Sequence, residues 1–158
     1  MDENSVPFGK AISLIKEKFE NDLTVIFKER SWKDALCFFE YHGPSSFAGN
    51  HNFEEAMTVT LIDVNPYKEG IMLPEEFIKY FGHLDIAKVL YEGYLSAELI
   101  DNVKQSTLNG MTFEGVVCKG ANDKKTKMPI MFKIKSHAWL EKLKDYCKGD
   151  ETLFNRLV

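Results

Sequence analysis

Two strand-like segments near the carboxyl end of the chain constrain its fold more than any other feature of the sequence. They are TFEGVVCKG at 112–120 and IMFKIKS at 130–136, and the polar segment ANDKKTKMP at 121–129 lies between them. Two strand patterns separated by a short turn-forming segment are typical of an antiparallel β-hairpin. The sequence therefore predicts at least one local antiparallel sheet.

Upstream of the hairpin, helix and strand patterns are mixed. Apolar residues recur at helical spacing between Ala11 and Phe19, and Ser5 is a candidate cap for this first helix. β-Branched and aromatic residues predict strands at 34–42 and 57–64. The segment HGPSSFAGNH between these strands is rich in Gly, Pro and Ser, which indicates a loop.

Three further helices are predicted. Pro74 opens the helix PEEFIKYF, Ser96 caps a helix from Ala97 to about Gln105, and Ser136 caps a last helix with an apolar stripe. Helices and strands without strict alternation predict an α+β fold with largely antiparallel sheets and flanking helices. The length of 158 residues fits a single domain spanning the whole chain.

Composition excludes several classes of protein. Hydrophobic residues make up 44% and charged residues 28% of the chain, which is typical of globular proteins and argues against disorder. The formal charge of -4 provides no global basic field, so contact with a nucleic acid has to come from a local cluster. No apolar run approaches the ~20 residues of a membrane span. We therefore expect a cytoplasmic protein with reduced cysteines and no membrane contact.

A group of charged residues on the hairpin is the first candidate site. Strand alternation places Lys133 and Lys135 on one face of the second strand and apolar side chains on the other. On the first strand, Glu114 precedes Gly115, and a glycine permits the close approach of a ligand. Paired lysines beside a carboxylate suit a nucleotide with a divalent metal, because the ammonium groups neutralise phosphate oxygens. The alternative is a solvated sheet face without a ligand.

Four short motifs in order resemble the covalent nucleotidyltransferase superfamily, and within it the phage-type ATP-dependent RNA ligases. EGVV at 114–117 and KIK at 133–135 resemble the family's fourth and fifth motifs. FFEYHG at 38–43, followed by SFAG, resembles the third motif. The run at 59–64 resembles the neighbouring strand that closes the adenine pocket. Order and spacing agree across residues 38–144.

This resemblance implies a partial nucleotidyltransferase (ATP-grasp-like) domain that uses ATP and magnesium to join RNA ends. It implies that Glu114 serves the metal or the reactive lysine, and that Lys133 and Lys135 approach the α-phosphate of ATP or AMP. Glu40 is implied to contact the ribose, and Ile62 stands where the family carries an aromatic residue that stacks on adenine. The implied nucleotide-binding residues are Phe38, Glu40, Ile62 and Gly115.

The nucleophilic lysine of the family lies in a Lys-x-x-Gly motif upstream of the third motif, and this chain has none there. None of the five lysines before Glu40 is followed by glycine at the third position. The chain's only Lys-x-x-Gly runs from Lys79 to Gly82, in a predicted amphipathic helix, where Lys79 is expected at the surface. The resemblance therefore implies half of a split ligase, a truncated or decayed ligase, or a non-catalytic module that binds nucleotide or RNA.

Three residues are candidates for binding RNA. The guanidinium of Arg30 suits oxyanions, His42 flanks a Gly-rich loop, and Lys119 lies beside a basic turn that could follow a phosphate backbone. Ordinary solvated side chains are the alternative at each position. A truncated fold also leaves part of a sheet edge or core uncovered, so we expect a complementary ligase subunit or a homo-oligomer.

Overall fold

A computed structural model describes residues 9–44, 56–123 and 129–158 of the chain. Within these ranges the chain forms five helices and four strands. The helices are α1 (Gly9–Glu29), α2 (Pro74–Phe81), α3 (Ala97–Lys104), α4 (His137–Cys147) and α5 (Glu151–Leu157). The strands are β1 (Ala35–His42), β2 (Thr58–Pro66), β3 (Gly115–Asn122) and β4 (Pro129–Lys135).

The described residues divide into two compact units, the first with residues 9–44, 56–88, 120–123 and 129–130 and the second with residues 89–119 and 131–158. The first unit contains α1, β1, β2 and α2. The second contains the helices α3, α4 and α5 with residues 115–119 of β3 and 131–135 of β4. The β1–β2 and β3–β4 pairs are separate two-stranded sheets.

The core of the first unit includes one side of α1 and one face of the β1–β2 sheet. Phe19 is 1% exposed, and its ring centroid lies 5.1 Å from that of Phe39 on β1. Burial of a large apolar side chain stabilises a fold by roughly 1.5–3 kcal/mol, so this cluster holds the unit together. The buried members of the cluster are Ala11, Phe19, Leu23, Ile26, Val59, Leu61, Val64, Met72, Phe77 and Phe81.

The antiparallel register of β1 and β2 contains one irregularity. Phe39 lies opposite Leu61, but the residue before it lies opposite Asp63, so the register passes over Ile62. A β-bulge of this kind shifts the alternation of side chains by one residue. As a result Leu61 and Val64 are both fully buried, although strict alternation would turn them to opposite faces.

One lysine joins three parts of the first unit. The Nζ of Lys18 donates to Thr58 Oγ1 at 2.8 Å and to the Val59 carbonyl at 3.1 Å, and it forms an ion pair with Asp85. The segment that follows Asp85 forms a parallel bridge with β2. A single ammonium group therefore connects α1, β2 and this segment.

Two serines determine where helices begin in the second unit. Ser96 Oγ accepts a hydrogen bond from the Leu99 amide at 3.1 Å at the start of α3. Ser136 Oγ accepts from the Trp139 amide at 3.1 Å at the start of α4. The Ser136 hydroxyl is fully buried and also donates to the Phe113 carbonyl at 2.6 Å. Ser136 thus joins the start of α4 to the residues before β3.

The predicted α+β fold with antiparallel sheets is confirmed. The predicted helices and strands occur in the described ranges, whereas α5 was not predicted and β3 begins at Gly115 rather than at 112. Ser5, residues 45–51 of the predicted loop and the turn lysines Lys124, Lys125 and Lys127 lie outside the described residues. The nucleotidyltransferase-like architecture and the single-domain organisation stay predictions.

The apolar face expected on β4 is only partly buried. Ile134 is 8% exposed, whereas Ile130 and Phe132 are 48% and 41% exposed.

All three cysteines are free thiols, and burial raises the pKa of Cys37 to about 11, so this thiol is protonated at neutral pH. No helix in the described ranges combines the length and the apolar character needed to cross a membrane.

Candidate phosphate-binding site

The hairpin of the second unit brings Glu114 close to Lys133 and Lys135. The amide of Ser136 donates to the Glu114 carbonyl at 2.9 Å, which aligns the start of β3 with the end of β4. Lys133 and Lys135 are alternate residues of β4 and project from the same face of the strand. Glu114 lies just before β3, and its carboxylate reaches both lysines of the neighbouring strand.

Both ammonium groups contact the same oxygen of Glu114. Lys135 Nζ donates a hydrogen bond to Glu114 Oε1, and Lys133 Nζ lies 3.5 Å from that atom. The side chain of Lys135 is 12% exposed, that of Glu114 is 24% exposed and that of Lys133 is 60% exposed. The three groups carry two positive charges and one negative charge, so the cluster keeps one net positive charge.

Opposing effects act on the Glu114 carboxyl. Burial by itself raises its pKa, while the hydrogen bond from Lys135 and the charges of both lysines lower it. The lysines win, and the pKa of Glu114 lies below its ordinary value of 4.5. The carboxylate is therefore ionised at neutral pH and holds both cations on one face of the hairpin.

Trp139 covers the other side of the Lys135 ammonium. Lys135 Nζ lies 4.0 Å from the centroid of the Trp139 ring, a distance at which a cation is attracted to the π-system. The Ser136 cap begins α4 directly after β4, and so the first turn of the helix brings the indole back over the lysine. The predicted site residues do not include Trp139. The spacing of four residues between Lys135 and Trp139 across a helix start is the sequence signal from which this contact could have been predicted.

The backbone of β4 explains why a glycine follows Glu114. Gly115 has a φ of 136°, and a β-carbon there would collide with the carbonyl oxygen of Ile134. Only glycine adopts this conformation without strain and lets the two strands approach so closely. The structure thus accounts for Gly115 by strand packing, and a role in binding a ligand stays a prediction.

The other predicted nucleotide-binding residues belong to the first unit. Phe38 and Glu40 alternate along β1 with residues that pack against the core, and therefore lie on the opposite face of the sheet. His42 shares that face, and its Nε2 lies 3.0 Å from Thr60 Oγ1. Ile62 lies at the bulge of β2. The structure brings Phe38, Glu40 and His42 to one sheet face, and their roles toward nucleotide or RNA stay predictions.

Arg30 is held by its neighbours at the end of α1. Its guanidinium lies 4.4 Å from the centroid of the Tyr80 ring and 5.5 Å from that of Trp32, and Nη2 lies 3.5 Å from Glu76 Oε1. These contacts give Arg30 a structural role between α1 and α2. Lys119, the remaining candidate for RNA, lies on β3 and is half-buried.

The position of Lys79 agrees with a surface role. Lys79 lies in α2, is exposed, and has its Nζ 5.3 Å from the centroid of the neighbouring Tyr80 ring. The chain's only Lys-x-x-Gly therefore occupies a helix rather than a strand. The prediction that Lys79 is a surface helix residue is confirmed.

A magnesium ion would fit this site only together with a bound nucleotide. The described residues contain no group of three or more His, Cys, Asp or Glu side chains that could hold a metal. Glu114 offers a single carboxylate, and one of its oxygens already receives both lysines. Magnesium is commonly held by one or two carboxylates and by substrate phosphates. Glu114 would thus supply one ligand, and nucleotide phosphates and water would supply the others.

No family model, curated protein or solved structure matches this chain. A function for the chain therefore has to be inferred from the geometry of the residues around Glu114.

Proposed function

We propose that the chain is an RNA-ligase-like adenylyltransferase domain in which Glu114, Lys133 and Lys135 bind the α-phosphate of ATP or AMP. The observation that carries this proposal is the convergence of both ammonium groups on one oxygen of Glu114. Because the cations are already held together, binding a phosphate costs little ordering of flexible side chains. The one net positive charge of Glu114, Lys133 and Lys135 together favours an anionic ligand.

The two lysines have different roles in this proposal. Lys135 is almost buried between Glu114 and Trp139, so it provides a fixed positive charge. Lys133 is mostly exposed and only 3.5 Å from Glu114 Oε1, so it can turn to a phosphate oxygen. Charge-assisted hydrogen bonds of this kind are about twice as strong as neutral ones.

The nucleophile of the reaction is proposed to come from a complementary ligase subunit. A lysine amine of that subunit would attack the α-phosphorus of ATP, pyrophosphate would leave, and the lysine would lose a proton to form a lysyl-adenylate. The paired lysines of this chain would neutralise the charge that develops on the phosphate oxygens.

Nucleotide binding is tested by titrating the full chain with ATP and magnesium in a calorimeter. We expect Lys133→Gln and Lys135→Gln each to lower the affinity about tenfold, the loss of one charge-assisted hydrogen bond. Lys144→Gln, on α4 of the same unit, removes the same charge away from Glu114 and should leave the affinity unchanged. Equal affinity in all four proteins would contradict the proposed site.

Covalent chemistry is tested separately with radiolabelled ATP, magnesium and denaturing electrophoresis. The chain alone should remain unlabelled, because it has no Lys-x-x-Gly upstream of Glu40. Label should form when the product of a neighbouring gene supplies the missing lysine. Label on this chain in the absence of a partner would disprove the split arrangement.

The second candidate is a non-catalytic module that binds nucleotide or RNA through the same face of the hairpin. It is favoured by the position of Lys79, since the chain's only Lys-x-x-Gly lies on an exposed helix. In this case ATP binds with an affinity that depends on Lys133 and Lys135, but no neighbouring gene product leads to covalent labelling with ATP.

A further inference from the structure

A pocket of ≈ 310 Å³ in the second unit lies along β4. Its walls include the consecutive residues 132–135 of β4, together with Ile100 and Lys104 of α3 and Leu140 of α4. Successive side chains of a strand point to opposite faces, so a pocket that touches four in a row meets the strand at its edge. The pocket therefore lies at the edge of the hairpin rather than on one face.

The hydrogen-bond pattern identifies this as the outer edge of β4. The Ser136 amide donates to Glu114, and the Ile134 carbonyl points to Gly115, so both residues face β3. In an antiparallel ladder the residues between them turn their amides and carbonyls to the opposite side. Lys133 and Lys135 therefore direct backbone N–H and C=O groups away from β3. In the part of the chain that the structure describes, β4 has β3 as its one strand neighbour.

The walls of the pocket combine aliphatic and basic side chains. Ile100 and Lys104 are four residues apart on α3 and therefore project from the same side of the helix. Leu140 contributes from α4, and Ile134 from β4 is buried. Lys104 and Lys133 supply two positive charges beside this apolar surface. A ligand that matches the pocket carries both carboxylates and aliphatic groups.

We propose that the outer edge of β4 binds an extended peptide segment of a partner chain, in which acidic and aliphatic side chains alternate. The peptide would pair its backbone with Lys133 and Lys135, as an added strand pairs with a sheet edge. Its aliphatic side chains would pack on Ile100 and Leu140, and its carboxylates would reach Lys104 and Lys133. The peptide site shares Lys133 with the proposed phosphate site, but the strand edge and the pocket do not depend on nucleotide binding.

The test uses a short synthetic peptide that alternates glutamate and valine, added to the isotope-labelled full chain. Amide NMR signals of residues 131–135 and of α3 are expected to shift. A peptide of the same sequence with N-methyl groups at alternate backbone positions loses the edge hydrogen bonds and should bind about tenfold more weakly. A peptide that alternates lysine and valine should not bind.

Lys104→Glu tests the contribution of the basic wall. It should weaken the glutamate–valine peptide about fivefold, and Lys104→Gln should weaken it less, because exposed charge pairs contribute little each. Lys88→Glu makes the same change of charge on an exposed residue of the first unit and should have no effect. Circular dichroism of each variant checks that the fold is retained.

Several outcomes overturn the proposal. Absence of shifts at millimolar peptide, shifts that avoid β4, or equal binding of the N-methylated peptide each exclude strand addition at this edge. Equal binding of the lysine–valine peptide excludes the acidic partner. Signals of β4 that shift on dilution of the chain alone would identify a second copy as the occupant and also overturn it. ATP binding is measured independently, so failure here leaves the proposed function standing.

Discussion

The carbonyl oxygen of Ile134 occupies the space that a β-carbon at Gly115 would need. Gly115→Ala must therefore push β4 away from β3 in addition to holding alanine at a positive φ, and we expect a loss of stability of roughly 2–4 kcal/mol. Gly149→Ala is the matched control, because Gly149 also has a positive φ but nothing lies within 4 Å of its β-carbon position. It should cost about 1–2 kcal/mol. Urea unfolding of both variants measures the difference, and equal losses would show that the strands do not approach so closely.

Glu114→Gln is expected to reduce the dependence of stability on pH in the acid range. Burial raises the pKa of Glu114, but the lysines lower it to a net value below the ordinary 4.5. A carboxyl whose pKa is lowered by folding contributes stability above its unfolded pKa, and this is lost as the pH falls through the folded value. The variant should be roughly 1–2 kcal/mol less stable than the native chain at neutral pH. This difference in the free energy of unfolding should disappear as the pH falls below 4.5.

Urea denaturation between about pH 7 and about pH 3 provides the measurement for Glu114→Gln. Glu141→Gln, an exposed residue of α4, serves as the control and should follow the native chain. A difference in the free energy of unfolding that stays constant over the whole pH range would mean that the charge of the Glu114 carboxylate does not contribute to its interaction with the lysines.

Ser136→Ala should cost more than the equivalent change at another helix start. It removes the cap of α4, worth about 1 kcal/mol, and leaves the Phe113 carbonyl without its hydroxyl donor, worth about 1–3 kcal/mol more. Ser96→Ala removes the exposed cap of α3 alone and should cost about 1 kcal/mol. Thermal and urea unfolding compare the two variants. Similar losses would indicate that the bond to Phe113 contributes nothing.

Arg30→Ala is expected to lower stability by about 1 kcal/mol, because the guanidinium loses the rings of Tyr80 and Trp32. Arg156→Ala, on the exposed surface of α5, should have little effect. A double-mutant cycle with Tyr80→Leu isolates the stacking and should give a coupling of about 0.5–1 kcal/mol. A coupling near zero would show that the aromatic rings do not hold the Arg30 guanidinium, which would then be a solvated side chain available to RNA.

The elements of the fold could be predicted where one local signal dominated. The caps at Ser96 and Ser136 and the proline at the start of α2 mark helix starts with side chains that act within one turn. The bulge at Ile62 could not be predicted, because the burial of Val64 depends on pairing with a distant strand. The short helix α5 has only 7 residues, fewer than the window of about 11–18 in which a helical period can be recognised, and none of its residues is buried.

For the charged cluster, the sequence predicted which side chains share one face of β4. Alternation along β4 places Lys133 and Lys135 together, and a hairpin brings Glu114 close to that strand. The unequal burial of the two lysines was not predictable, because it depends on where α4 carries Trp139. The close approach at Gly115 likewise results from the backbone of the neighbouring strand.

Lys18 has a consequence for the dynamics of the first unit. Its ammonium contacts β2 and Asp85 at the same time, so we expect α1, β2 and the segment at Asp85 to open together. Hydrogen exchange at the Ala87 amide, which donates to the Leu61 carbonyl at 3.4 Å, should then be as slow as in the middle of α1. A stretch that resembles a surface connection in sequence would thus exchange with the protected centre of the molecule.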